Sequence, residues 1–218
     1  MINYWTLIYG RRKTGKTTLL KNCLKYDYYV TIADEQEGLL ENGERKKIEE
    51  ILKDIREELR KGSFVIIDEF QRLPMKYYTD LSTMPKDSIL VLAGSSYGVL
   101  NKVFDSNSHL LGFFTPKGIR IMNYDTVLAQ LEDPILSVLF RDPWIIPFIN
   151  SYDDFVSRVK EFILISKGLI EEVFKEEERQ LTETYYRILL KVAEGVWKSS
   201  ELAGILQVEG VKQLFHLC

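Results

Sequence analysis

Residues Tyr4 to Leu20 read YWTLIYGRRKTGKTTLL. The run from Tyr4 to Tyr9 is apolar and β-branched, as a buried strand requires, and it stops at Gly10. From Lys16 onward the spacing of Leu19, Leu20, Cys23 and Leu24 fits one face of a helix. Between the two, Gly10-Arg11-Arg12-Lys13-Thr14-Gly15-Lys16-Thr17 matches the pattern G-x-x-x-x-G-K-[ST] in full. A polyphosphate needs several backbone N–H groups converging on it, and two glycines permit the tight turn that supplies them. The positive end of the following helix adds to the attraction. Lys16 is placed to reach the β- and γ-phosphates, the Thr17 hydroxyl to ligate Mg2+, and Thr18 to bond an α-phosphate oxygen. Arg11, Arg12 and Lys13 put further positive charge beside the phosphates, and both nucleotide capture and simple solvation remain open for them.

Working outward, Tyr28 to Ile32 reads as a second strand closing at Asp34, so the chain begins as a βαβ unit. Glu44 to Lys61 places Ile48, Ile51, Leu52, Ile55 and Leu59 on one helical face, with Glu49/Lys53 and Glu57/Lys61 four apart on the other. Phe64-Val65-Ile66-Ile67-Asp68-Glu69 is an apolar strand ending in two acids. A strand tip of that kind presents one carboxylate to a metal's water shell and the next to an attacking water, which gives Asp68 the metal and Glu69 the role of general base. A turn acid and a structural ion pair are the plain alternatives for Asp68 and Glu69. Ser88 to Ala93 is another buried strand, ending in Gly94-Ser95-Ser96. Ser95 is a candidate γ-phosphate sensor or, as plainly, a helix cap before Tyr97 to Val103. Gln71 and Arg72 either orient water or lie in an exposed loop. Gly118 to Met122 completes five strands alternating with helices, the pattern of a parallel sheet covered by helices on both faces.

Beyond Asp125 helical signals take over, through Thr126–Leu131, Ile135–Phe140, Tyr152–Ser166 and Thr182–Ala193. The expected organisation is a nucleotide-binding core at 1–130, a helical lid at 131–180, and a short helix-turn-helix-like, truncated winged-helix segment at 181–218. The last part places Ser199–Leu206 and Glu209–Leu217 after a break at Gly195. Its charges are interspersed, without the basic face of a DNA reader, so DNA contact and a packing or oligomerisation role both stay open.

A formal net charge of -3 over 218 residues gives no general attraction to nucleic acid. No apolar run approaches the ~18 residues of a membrane span, and the first residues lack the zones of a secretory signal, so a cytoplasmic protein with no membrane partner is expected. Cys23 and Cys218 stand apart, without metal-site spacing, and read as a buried thiol and a tail residue.

With GRRKTGKTTLL, VIIDEFQRL and LVLAGSS in this order and spacing, the chain resembles the archaeal ATPase family, P-loop ATPases related to the AAA+ and STAND groups, over roughly residues 4–125. The resemblance implies a central sheet with an extra strand between those carrying the phosphate loop and the acids. It also implies ATP and Mg2+ as cofactors, with Lys16 and Thr17 on Mg-ATP, Asp68 on the metal, Glu69 as the catalytic acid and Ser95 as sensor. The first strand begins almost at Met1, where relatives carry an adenine-binding segment. Leu111-Gly112-Phe113 lacks the Arg that relatives place there, and no Gly-x-Pro stands in the lid. Slow hydrolysis, or an Arg from a partner subunit, is therefore expected, with Arg120 and Arg141 as internal candidates. The expected function is an Mg-ATP-dependent molecular switch whose partners are further copies of itself or a protein client. The alternative is a nucleotide-responsive DNA-binding or assembly module with little hydrolysis. A small-molecule kinase ranks third, because no Arg-rich lid motif follows the core.

Overall fold

The protein is described here from a computed structural model, in which residues 4–95, 97–176 and 183–206 are described. Ser96 and the proposed helix at Glu209–Leu217 lie outside them. The chain divides into two compact units, Met1–Ile165 and Ser166–Cys218. Among the described residues no helix is long and apolar enough to cross a membrane.

The first unit is built on a seven-stranded sheet. In chain order its first elements are β1 (Thr6–Tyr9), α1 (Lys16–Cys23), β2 (Tyr28–Ile32), β3 (Glu37–Leu40), β4 (Arg45–Lys47), α2 (Ile48–Arg60) and β5 (Phe64–Asp68). After a 3-10 turn at Phe70–Arg72 come α3 (Tyr78–Ser82), β6 (Ile89–Gly94), α4 (Tyr97–Phe104) and β7 (Thr115–Gly118). The strand order is β4-β3-β2-β5-β6-β1-β7. Strands β2, β5, β6, β1 and β7 run parallel, and β3 and β4 add an antiparallel hairpin at one edge. β6 therefore lies between β1, which leads into the glycine-rich loop, and β5, which ends in Asp68. This is the extra central strand implied by the resemblance.

Period-two alternation sends side chains of the central strands to two separate cores. Leu7, Val65, Ile67, Leu90 and Leu92 join Ile48, Ile51, Ile55 and Leu59 of α2 and Val99 and Val103 of α4 on one face. Ile8, Tyr29, Ile66, Val91 and Ala93 face the other way, over Leu20 of α1. Burial of one Ile or Leu is worth roughly 1.5–3 kcal/mol, so the five-residue apolar stripe of α2 is ample reason for it to dock. Glu49 and Glu50 in its first turn and Arg60 in its last complement the helix dipole.

Several local expectations are corrected. The helix expected from Glu44 starts at Ile48, because Arg45–Lys47 pairs with β3 as β4. Asn42-Gly43, with Gly43 at φ +86°, makes the connecting turn. Lys61 pairs with Glu58 at 2.6 Å rather than with Glu57. The last strand is Thr115–Gly118, not Gly118–Met122; it lies at the sheet edge with all four residues exposed, so it carries no apolar signature and accommodates Pro116. Cys23 is exposed, not buried. Helix α1 is short and Leu20 is its fully covered apolar residue, while Leu19 stays 36% exposed.

The rest of the first unit is helical: α5 (Tyr124–Leu131), α6 (Pro134–Phe140), a 3-10 segment at Pro143–Phe148, α7 (Tyr152–Ser157) and the start of α8 (Val159–Glu176). Side chains of Asn123, Asp133 and Ser151 cap α5, α6 and α7, and Pro134 sits at the first turn of α6. Trp144, Ile145, Ile149, Phe155 and Phe162 form their own small core. In the second unit α9 (Glu183–Ala193) and α10 (Ser199–Leu206) follow each other around Gly195, at φ +93°, and Ile188 packs with Leu202.

Two buried tyrosines, Tyr29 and Tyr78, and the half-buried Tyr28 make the sheet unit sensitive to alkali. Tyr78 is 1% exposed, its hydroxyl has no partner among the described residues, and burial pushes its pKa up to about 12. Burial, then the carboxylate beside each hydroxyl, raises Tyr28 and Tyr29 well above the ordinary 10.0. A pKa raised on folding stabilises fully below the unfolded value and is lost as pH climbs toward the folded one. The chain is therefore expected to lose stability steeply between about pH 10 and 12, with these tyrosines ionising only as it unfolds. Tyrosinate absorbance recorded alongside circular dichroism checks this; smooth ionisation of all tyrosines in a still-folded chain would contradict it.

Candidate nucleotide site at the sheet's carboxyl edge

The loop between β1 and α1 takes the shape its residues demand. Gly10 has φ +152°, and a Cβ there would lie 2.2 Å from the carbonyl oxygen of Ile119, so only glycine lets the chain pass. Lys13 (φ +63°) and Gly15 (φ +87°, ψ +14°) turn the backbone into the left-handed region on the way to α1. The space a Cβ would take at Gly15 is open within 4 Å, so glycine is required there by its positive φ rather than by crowding. Lys16 is 7% exposed, and its Nζ donates to the Gly10 and Arg11 carbonyls at 2.7 and 2.8 Å, which closes the loop around the ammonium. The Thr14 hydroxyl braces the same bend by donating to the Arg11 carbonyl.

Strand β5 delivers the acids. Asp68 is 2% exposed, which for a carboxylate demands full hydrogen bonding. Its Oδ2 accepts from the Thr17 hydroxyl at 2.8 Å and from the Tyr29 hydroxyl at 2.6 Å, and its Oδ1 from the Glu69 amide at 2.9 Å. Glu69 follows with a left-handed backbone, φ +54° and ψ +36°, unusual for a side chain of its kind and typical of functional turns. That turn aims Glu69 away from Asp68. Its Oε2 accepts from Gln71 at 2.6 Å and from Arg12 at 3.3 Å, with Arg72 at 3.7 Å. Ser95, 5% exposed at the tip of β6, accepts from Gln71 at 2.8 Å.

The sequence-derived residues thus gather from three strand ends, because β1, β6 and β5 are neighbours and all point the same way. Thr17, Asp68, Glu69 and Ser95 are joined by hydrogen bonds, directly or through Gln71, and Lys16 holds the adjoining loop closed. The three basic loop residues separate by role. Arg12 is drawn to Glu69, Arg11 pairs with Asp142 at 2.5 Å, and Lys13 is exposed. Thr18 is exposed on the first turn of α1.

Two participants escape sequence reasoning. Tyr29 reads as a core residue of β2, and nothing local announces that β2 will pair with β5 and carry its hydroxyl to Asp68. Asp142 lies 131 residues from Arg11. Its Oδ1 is buried without a partner among the described residues, while Oδ2 holds the guanidinium. The neighbouring Arg141 carbonyl accepts from the Met122 amide at 2.7 Å, which fixes the position of this segment.

A family model described as an AAA domain matches residues 3–114, a little over half of the chain and the whole span from β1 to the end of α4. No curated protein matches the chain. Among solved structures it is similar to a crystal structure of a signal transduction ATPase with numerous domains (STAND) carrying a tetratricopeptide repeat sensor, from Pyrococcus horikoshii, at 17% identity and a TM-score of 0.43. The match covers 84% of this chain and 31% of that one, so the chain spans about a third of that protein's length.

Proposed function

Because the chain belongs to the AAA domain family, we propose that it binds Mg-ATP on the Gly10–Thr18 loop, hydrolyses it with Glu69, and uses the cycle as a conformational switch. One observation carries the reading: the 2.8 Å contact from the Thr17 hydroxyl to Asp68. It joins the loop that would grip the phosphates to the strand tip that would hold the metal. A hydroxyl that gives its proton to a carboxylate keeps its lone pairs for a cation, and an all-oxygen donor pair suits Mg2+. Thr17 and Asp68, the latter through water, are the residues to hold that ion, which when bound draws negative charge from the β- and γ-phosphates.

The chain's own groups supply the rest. Backbone amides of the loop and the start of α1 receive the phosphate oxygens, and Lys16 turns from the Gly10 and Arg11 carbonyls toward the β- and γ-phosphates. Glu69 accepts the proton of the attacking water, and Ser95 contacts the terminal phosphate. The switch output is supported by the pairing of Arg11 with Asp142. A triphosphate arriving on the loop competes for the Arg11 guanidinium, and the Asp142 segment with the helices flanking it is then released. Any client and any change of assembly state would follow from that release.

The direct test is phosphate release from ATP by the purified chain with and without magnesium. Turnover that disappears on chelation with EDTA and returns with added Mg2+ supports the reading. Binding and turnover indifferent to the metal would contradict it.

A further inference from the structure

No step of the proposed hydrolysis has been assigned to Gln71, yet it is the residue that joins Glu69 to Ser95. Its amide nitrogen lies 2.6 Å from Glu69 Oε2 and 2.8 Å from Ser95 Oγ, and its amide oxygen lies 3.4 Å from the Ser95 backbone nitrogen. The orientation of the amide is dictated by chemistry: an ionised carboxylate only accepts, so the NH2 group must face Glu69, and the oxygen then faces a backbone N–H. Both amide protons are thereby spent, one on the carboxylate and one on the serine hydroxyl oxygen.

The setting is built for this side chain. Gly94 precedes Ser95 at the end of β6, and a Cβ there would fall 2.9 Å from Gln71 Oε1 and 2.8 Å from Val99 Cγ2. The absence of a side chain at 94 makes room for the amide. The 3-10 turn that carries Gln71 is closed by the Arg72 amide on the Glu69 carbonyl at 3.0 Å and the Leu73 amide on the Phe70 carbonyl at 2.9 Å. Phe70 is fully buried and stacked on Tyr78 with ring centroids 5.2 Å apart, which anchors the turn to the core. A residue on so fixed a turn holds its partners in place rather than following them.

We propose that Gln71 is a positioning residue that fixes the Glu69 carboxylate through Glu69 Oε2, so that Glu69 Oε1 faces the attacking water, and couples that orientation to Ser95. A serine hydroxyl that accepts from Gln71 is directed to donate its own proton elsewhere, as a contact to a terminal phosphate requires. Occupancy at Ser95 and the aim of Glu69 are thus set through one amide. The inference rests on the hydrolytic reading of the preceding subsection.

The experiment compares wild type, Gln71→Met, Gln71→Ala, Ser95→Ala, the Gln71→Met/Ser95→Ala pair and Glu69→Gln. Each is measured for ATP affinity by titration with a fluorescent ATP analogue in Mg2+ and for hydrolysis in single turnovers. Methionine keeps the length of glutamine without its donors, so a variant that still binds nucleotide is folded at the site. The expected result is a hydrolysis rate lowered about 10- to 100-fold in both Gln71 variants, the effect of losing a hydrogen bond to a charged group, with affinity unchanged. The double variant should fall no further than the worse single one, since both act through one connection. A Gln71→Met rate equal to or above wild type, or affinity falling in step with rate, overturns the positioning role. If Glu69→Gln alone is inactive in that case, the hydrolytic reading survives without it. If wild type and Glu69→Gln behave alike, both fail.

Discussion

Glu69→Gln is expected to lower ATP turnover by about a hundred- to ten-thousand-fold while leaving ATP bound. The substitution keeps the shape of the side chain and an oxygen to accept from Gln71, but removes the group that takes a proton from water. The backbone argues for the same residue. A left-handed conformation costs a non-glycine residue roughly 1–2 kcal/mol, and the turn at φ +54° is kept with a glutamate in it. Glycine would relieve the strain, so the carboxylate stands at this position at a cost in backbone energy. Stopped reactions followed by phosphate release, together with a nucleotide titration of the same variant, check the outcome. Undiminished turnover would remove Glu69 from the chemistry.

Lys16→Ala is expected to weaken ATP binding by about a hundredfold and to bring hydrolysis below detection. A charge-assisted contact with a phosphate is worth about 1.5–3 kcal/mol, and this ammonium is 7% exposed, where solvent screens it little. Truncation also strips the Gly10 and Arg11 carbonyls of the donor that now closes the loop, so the bend itself should loosen. The two variants therefore separate binding from chemistry: Lys16 acts on both, Glu69 on the second alone. Equal affinity in Lys16→Ala and wild type would contradict the loop's assignment.

How much of this was legible beforehand follows from what kind of signal each feature leaves. The central strands β2, β5 and β6 are buried on both faces and show as continuous apolar runs, and α2 as a stripe at helical spacing. The loop and the paired acids are short local patterns whose meaning does not depend on the rest of the chain, and so they could be placed on elements at once. The strand order could not be read from periodicity; the family resemblance implies only the strand between the loop and the acids, and the register then brings Ser95 between them. Features at the sheet edges were missed or displaced. β4 is Arg-Lys-Lys and β7 is fully exposed, and neither has an apolar face to announce it. The Asn42-Gly43 turn was a usable signal, obscured because the strands around it are short and largely polar. The contacts of Tyr29, Arg11 and Gln71 join residues 39, 131 and 24 positions from their partners. Such contacts exist only once the sheet is assembled.

The most direct measurement is a crystal structure of the chain with Mg2+ and a non-hydrolysable ATP analogue. The triphosphate should lie in the bend between Gly10 and Thr18, with the ion between Thr17 and the water shell of Asp68 and the Lys16 ammonium swung onto the phosphates. Nucleotide bound elsewhere, or a loop still closed on the Lys16 ammonium beside an ordered analogue, would contradict the account.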